Sequence, residues 1–116
     1  MSYKKTIALD FDGVLNTYNG WKGEDELFQP RPGVNNFLAA LAADFELKIY
    51  STRSAEKIRT WLKVHGMDDL IADVCREKPM AIVYLDDRGL RFDGDFDAAY
   101  TAIKSFKAHW EWALIP

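Results

Sequence analysis

Three short apolar runs in the chain end in residues that carry chemistry. Thr6–Leu9 leads straight into Asp10, Phe11 and Asp12 and reads as a short buried strand ending at the acids. Glu46–Tyr50, "ELKIY", reads as a second strand, closed by Ser51-Thr52-Arg53-Ser54. Ala81–Leu85, "AIVYL", reads as a third, and it too ends in acids, Asp86 and Asp87. Between the runs, apolar residues recur at helical spacing. Val34, Phe37, Leu38 and Leu41 predict a helix opened by Pro32-Gly33 and running to about Ala43. Ile58, Trp61, Leu62 and His65 share one face of a second helix, with Ser54 as N-cap, Glu56 in its first turn and Gly66 as its stop. Leu70–Cys75 reads as a short helix then a short strand, Leu90–Phe92 as one more short strand, and Phe96 to about Phe106 as a last helix. Asn16–Arg31 is polar, contains Gly20, Gly23 and Pro30, and reads as a long loop. Loops of that length in compact domains are usually functional or disordered.

Alternating strands and helices predict an α/β fold, three-layered and Rossmann-like, with a mostly parallel central sheet. Ligands bind such sheets outside the carboxyl ends of the strands. Asp10 and Asp12, Ser51, and Asp86 and Asp87 stand at three strand ends, so parallel neighbouring strands bring them to one edge.

Composition adds bounds. With 116 residues the expectation is one domain over the whole chain, large enough to build its own core. Lys and Arg number 15 against 18 Asp and Glu, a formal charge of -3, so no basic surplus marks a nucleic-acid scaffold, although local basic patches stay open. Cys75 is the lone cysteine; it cannot form an internal disulfide, fits a reducing cytoplasm, and is expected to be a small core residue. No apolar run approaches the ~20 residues of a membrane span. The N-terminal apolar stretch is cut short by Asp10 and is not expected to be a signal peptide.

Several carboxylates at one point repel each other unless a cation joins them, and their hard oxygens suit Mg²⁺. A Ser51 hydroxyl can donate to a phosphate, and Lys78, just before Pro79, can supply positive charge. Carboxylates, a divalent ion, a hydroxyl and a lysine make a kit for phosphoryl transfer, where positioning and charge neutralisation do most of the catalysis.

These residues resemble the haloacid-dehalogenase-like superfamily of phosphohydrolases. "DFDGVL" is similar to its first motif, Asp-x-Asp-Gly; "LKIYSTR" to its second, a strand ending in Ser or Thr; "EKPMA" to its third, a lysine; and "IVYLDD" to its fourth, an apolar strand ending in paired aspartates. The resemblance spans Ile7 to about Gly94. It implies that Asp10 is the nucleophile and Asp12 the general acid and base. Mg²⁺ would be held by Asp10, the Asp12 main-chain carbonyl and Asp86, with Asp87 in support. Ser51 would hydrogen-bond the phosphoryl group, Thr52 being the alternative hydroxyl, with Arg53 beside them in phosphate binding. Lys78 would neutralise Asp10 and the phosphate, and Gly13 would allow a sharp turn beside the acids. Neither gap between motifs has room for a cap domain, which implies a capless member with an open site. Open sites in the family go with large substrates such as proteins or nucleic-acid ends, or with a lid supplied by assembly. The implied activity is therefore a Mg²⁺-dependent phosphatase acting on a nucleotide, a nucleic-acid end or another large phosphorylated substrate, with oligomerisation open.

Other residues have two readings. Arg53 and Arg88 either bind a second phosphate or substrate acid, or pair with nearby aspartates. Tyr18 and Trp21 either stack on a base or sugar, or pack their loop down. His65 is expected to end a helix. Trp110 and Trp112 are expected in a tail packed on the core, with a dimer contact as the alternative. Asp93, Asp95 and Asp97 fit the charge preference of a helix N-terminus better than a second metal. The bare fold could also serve a phosphotransferase, and two further functions compete: a signalling receiver, disfavoured because Ser51 stands where its phosphorylated aspartate belongs, and a non-catalytic binding module that kept the fold.

Overall fold

The computed structural model of the chain describes residues 3–112. It is a four-stranded, all-parallel sheet with strand order β3-β2-β1-β4, formed by β1 (Thr6–Asp10), β2 (Glu46–Tyr50), β3 (Asp73–Cys75) and β4 (Val83–Leu85). Helix α1 (Val34–Asp44) joins β1 to β2, and α2 (Ala55–Val64) with a 3₁₀ turn at Asp68–Leu70 joins β2 to β3. Helix α3 (Phe96–Ser105) and a single turn, α4 (His109–Trp112), follow β4. This is the expected Rossmann-like α/β fold. No helix among the described residues is long and apolar enough to cross a membrane.

Register explains which residues face the core. Ile7 and Leu9 pair with Leu47 and Ile49 on one side and with Val83 and Leu85 on the other. Because side chains alternate along a strand, these positions share one face. Val83 and Leu85 at the sheet edge stay exposed, while Ile7, Leu9, Leu47 and Ile49 close a single core there with Val34 and Leu38 of α1 and Ile58, Trp61 and Leu62 of α2. Phe11 and Leu15, just past β1, are fully buried in it, and Phe11 packs edge-on against Trp61. The opposite face carries Thr6, Ala8 and Asp10 beside Glu46, Lys48 and Tyr50, with Asp73, Cys75 and Tyr84 flanking them. It is polar and partly open, and no residue of α3 is buried.

Helix α2 is bounded as its sequence dictates. The Ser54 side chain accepts from Lys57 N, and Gly66 adopts φ 74° past the last turn. Met67 N–H reaches the Leu62 carbonyl and Gly66 N–H that of Lys63, a Schellman stop that also buries Met67. Two expectations are corrected. The segment Leu90–Phe92 forms no strand: β4 stays at the sheet edge, and Phe92 instead stacks on Phe96 with ring centroids 5.1 Å apart. Cys75 is half-buried rather than in the core, because the alternation of β3 turns Val74 inward and Cys75 to the polar face.

Candidate functional site

In the order β3-β2-β1-β4 the chain leaves β1 toward β2 on one side and returns with β4 on the other. The crevice above the carboxyl ends of β1 and β4 is thus the switch point where such sheets bind ligands. Asp10 ends β1, in register with Tyr50 at the end of β2, and Leu9 pairs with Leu85, the last residue of β4. Asp86 and Asp87 therefore arrive next to Asp10. Carboxylate oxygens of Asp10, Asp86 and Asp87 lie within 4.8 Å of one another, a donor set that can hold a metal ion.

Three carboxylates at this spacing repel one another. Burial, a hydrogen bond with Asp87 and the negative charges of Asp87 and Asp86 push the Asp10 carboxyl up to about 8, against the opposing Phe11 N–H. Asp86 shifts the other way. Its own burial is outweighed by the Tyr50 hydroxyl, Arg88 N–H, Lys78 and Asp87, which hold it below the usual carboxylate range. The Tyr50 hydroxyl donates to Asp86 Oδ2 over 2.6 Å, and burial and that bond push the phenol well above its ordinary value. One proton on Asp10 relieves the trio, and a bound cation would take its place.

Lys78 approaches from the polar face. Its Nζ lies 4.7 Å from the Tyr84 ring centroid and 5.5 Å from that of Tyr50, within cation–π reach. The Tyr84 hydroxyl, bonded to the Pro79 carbonyl at 2.8 Å, folds this segment over the rings. Ser51 N–H extends the β2–β3 ladder to the Cys75 carbonyl, setting Ser51 level with the strand ends. Its Oγ accepts from Arg53 N at 3.1 Å, which leaves the hydroxyl proton free to donate. Ser54, not Ser51 or Thr52, caps α2. Thr52 is exposed and lines a neighbouring cavity.

Asp12 stands apart from the trio. Its Oδ2 accepts from Arg53 Nε at 2.7 Å and its Oδ1 from Asn16 Nδ2 at 2.9 Å. The pairing reading of Arg53 is therefore the one realised. Arg53 is 6% exposed; its guanidinium donates through Nη1 to the Gly23 and Glu24 carbonyls and stacks on the Trp21 ring at 4.7 Å. Its Nη2 is buried without an acceptor, at a cost of about 1–3 kcal/mol.

Gly13 has φ 83°, and a Cβ there would collide with the Asp87 carboxylate and come within 3.1 Å of Trp110 Cδ1. Both the left-handed turn and the close approach of β4 require glycine. Asn16, fully buried, ties the loop together. Its Oδ1 accepts from Gly13 N and Tyr18 N, while its Nδ2 also donates to the Leu27 carbonyl. Asn16→Ala strands these partners and is expected to lower stability by about 3 kcal/mol, measured as a fall in the urea midpoint at unchanged slope.

The C-terminal turn lies over the same crevice. Trp110 Nε1 donates to Asp87 Oδ2 at 2.6 Å, His109 Nε2 lies 2.6 Å from the Gly13 carbonyl, and Arg88 pairs with Glu111 at 3.4 Å. Tyr18 packs edge-on against Trp110 and Phe28, so it packs its loop, and Arg88 stacks on Trp110. Trp110 thus packs on the acid loops; the side chain of Trp112 lies outside the described residues. His65 contacts Trp61 at the end of α2, and Asp95 caps α3 with Asp97 in its first turn, as expected. Sequence reasoning missed Tyr50, Asn16 and His109, and it expected Trp110 to pack but not to bond Asp87. Only Tyr50 carried a signal, since its position at the end of β2 matches that of Asp10.

Comparison with protein-family models, with curated proteins and with solved structures finds nothing that matches this chain.

Proposed function

We propose that the protein is a Mg²⁺-dependent phosphomonoesterase that works through a phosphoryl group carried on Asp10. The observation that carries this reading is the trio Asp10, Asp86 and Asp87, gathered within 4.8 Å at the switch point of a parallel sheet and short of positive charge. Three hard carboxylate oxygens fit Mg²⁺, which when bound neutralises the trio and the phosphate that approaches it.

The chain's own groups supply the rest. Phe11 N–H holds Asp10 Oδ1 at 2.8 Å, which orients the carboxylate. An ionised Asp10 oxygen attacks phosphorus, the bond from phosphorus to the leaving oxygen breaks, and Asp12, entering the step protonated and released from one of its two hydrogen bonds, gives that oxygen its proton. Water then attacks the aspartyl-phosphate, Asp12 takes the water's proton, and phosphate leaves with Asp10 restored. Ser51 and Lys78 hold the phosphoryl oxygens. Arg53 and Asn16 position Asp12, and Tyr50 and Trp110 orient Asp86 and Asp87.

One observation favours a second reading, a cation- and phosphate-binding module. Both oxygens of Asp12 are already engaged, by Arg53 and Asn16, and must yield one bond to reach a leaving group. Phosphate release from p-nitrophenyl phosphate separates the two. The phosphatase reading expects turnover with Mg²⁺ and none with chelator. A folded, Mg²⁺-binding protein that releases no phosphate from this ester or from phosphorylated nucleotides, nucleic-acid ends and peptides would establish the module.

A further inference from the structure

On the Arg53 side of Asp12, Trp21 and Glu24 of the loop and the start of α2 border a cavity of about 200 Å³. Trp21, Glu24, Thr52, Arg53, Lys57 and Arg76 line it. We propose that this cavity is a second anion subsite, built for a further phosphoryl group on a substrate that carries two. The proposal rests on the phosphatase reading for the group that reacts.

Three cations face one acid across the cavity. Arg53 is committed through Nε to Asp12 and through Nη1 to two carbonyls, yet its buried Nη2 donates to nothing. A buried guanidinium donor without an acceptor is costly; Nη2 is closed off from solvent, so an oxyanion in the cavity satisfies it with a charge-assisted bond once the Arg53 side chain turns that nitrogen toward it. Arg76, the residue after β3, lines the cavity with no hydrogen bond or ion pair among the described residues. Ser54 opens α2 at the same place, so the positive end of a ten-residue helix adds to the field. Lys57 is held by Asp25 at 2.8 Å and by Glu24 at 3.7 Å, both exposed partners that an incoming dianion can outcompete. Trp21 is 60% exposed and stacked on Arg53, where it flanks whatever joins the two phosphoryl groups.

Arg53 links the cavity to the reaction. An anion drawn to Nη2 acts on the same guanidinium that holds Asp12. A substrate spanning both places would ease Asp12 from that grip, which a monophosphate cannot do. Arg53 is here a positioning residue for Asp12 as well as a ligand of the second anion.

The test has two arms. In chelator, inorganic phosphate and pyrophosphate are titrated into the native protein and into Arg76→Ala, with the Arg53 Nε–H and Trp21 indole resonances followed by NMR. Saturable shifts at both resonances are expected in the native protein. Binding about tenfold weaker is expected in Arg76→Ala, with its far-UV spectrum native. No saturable shift at Arg53, or equal affinity in Arg76→Ala, overturns the subsite. With Mg²⁺, KM is then compared for a bisphosphorylated ester and its monophosphorylated parent. The bisphosphate is expected to have the lower KM, and Arg76→Ala to narrow that ratio about tenfold. Anion binding with an unchanged ratio overturns the assignment to a substrate group. Intact anion binding with no turnover of any ester counts against the phosphatase reading and leaves the anion subsite standing.

Discussion

Asp10→Asn is expected to abolish phosphate release, by at least about three orders of magnitude, while the chelated variant melts higher than the native protein. The activity loss follows because a carboxamide oxygen cannot carry the phosphoryl group. The stability gain follows from the trio. Asp10, Asp86 and Asp87 crowd within 4.8 Å, and the folded chain holds Asp10 up to about 8 only by keeping a proton that the unfolded chain releases near 3.8. Asparagine carries no charge to suppress, and its oxygen can still accept from Phe11 N–H. A purely structural acid would behave in the opposite way, since its removal would leave neighbours unsatisfied and lower the melting point. Rates with p-nitrophenyl phosphate and thermal unfolding in chelator read both halves. Retained turnover, or a lower melting point in chelator, would count against the account.

The second large effect is a dependence of Mg²⁺ stabilisation on pH. Below about 4, Asp10 is protonated in the folded and unfolded chains alike. Between about 4 and about 8 the folded chain binds one more proton, so metal-free stability falls as pH rises, and it levels above about 8. Asp86, held low by Tyr50 and its other partners against its own burial, stabilises above its unfolded value and loses that contribution only as pH drops further. The window above about 4 therefore belongs to Asp10. Mg²⁺ has to displace the Asp10 proton, so the rise in melting temperature that it produces should grow through this window and then level. Calorimetry at neutral pH in buffers of different ionisation enthalpy should show close to one proton released per ion bound. A Mg²⁺ shift that does not vary with pH would show that the trio is not the binding site.

The sheet and its edge were legible because each strand ends where its apolar run meets polar chemistry. "IAL" before Asp10 marks a buried strand and "VYL" before Asp86 an edge strand whose side chains stay exposed, both by composition, and "ELKIY" marks β2 by alternation. That alternation also held information about the second face of the sheet. Glu46, Lys48 and Tyr50 recur every second residue, the pattern of a half-covered strand, and the polar face of β2 and β3 follows from it. The convergence of Asp10, Asp86 and Asp87 was legible for the same reason, since parallel pairing of neighbouring strands brings their ends together.

What could not be read depended on contacts between distant positions. Asp12 precedes Gly13 in a motif that suggests a place beside Asp10, yet Arg53, 41 residues away, draws its carboxylate aside. Trp110 reaches Asp87 across 23 residues and His109 reaches Gly13 across 96. Neither has a periodic signal, because α4 is a single turn and not an amphipathic helix. Asn16 sits in a polar loop where an exposed side chain is the ordinary expectation, and only the folded loop shows it buried with its hydrogen-bonding capacity filled.

The central claim is that Asp10 carries the phosphoryl group. The most direct measurement is the mass of the acid-quenched protein and of its Asp10 peptide, taken during turnover with Mg²⁺. The account predicts a phosphoryl adduct on Asp10 in the native chain, absent in chelator and in Asp10→Asn. Turnover with no adduct, or with the adduct on any other residue, would contradict it.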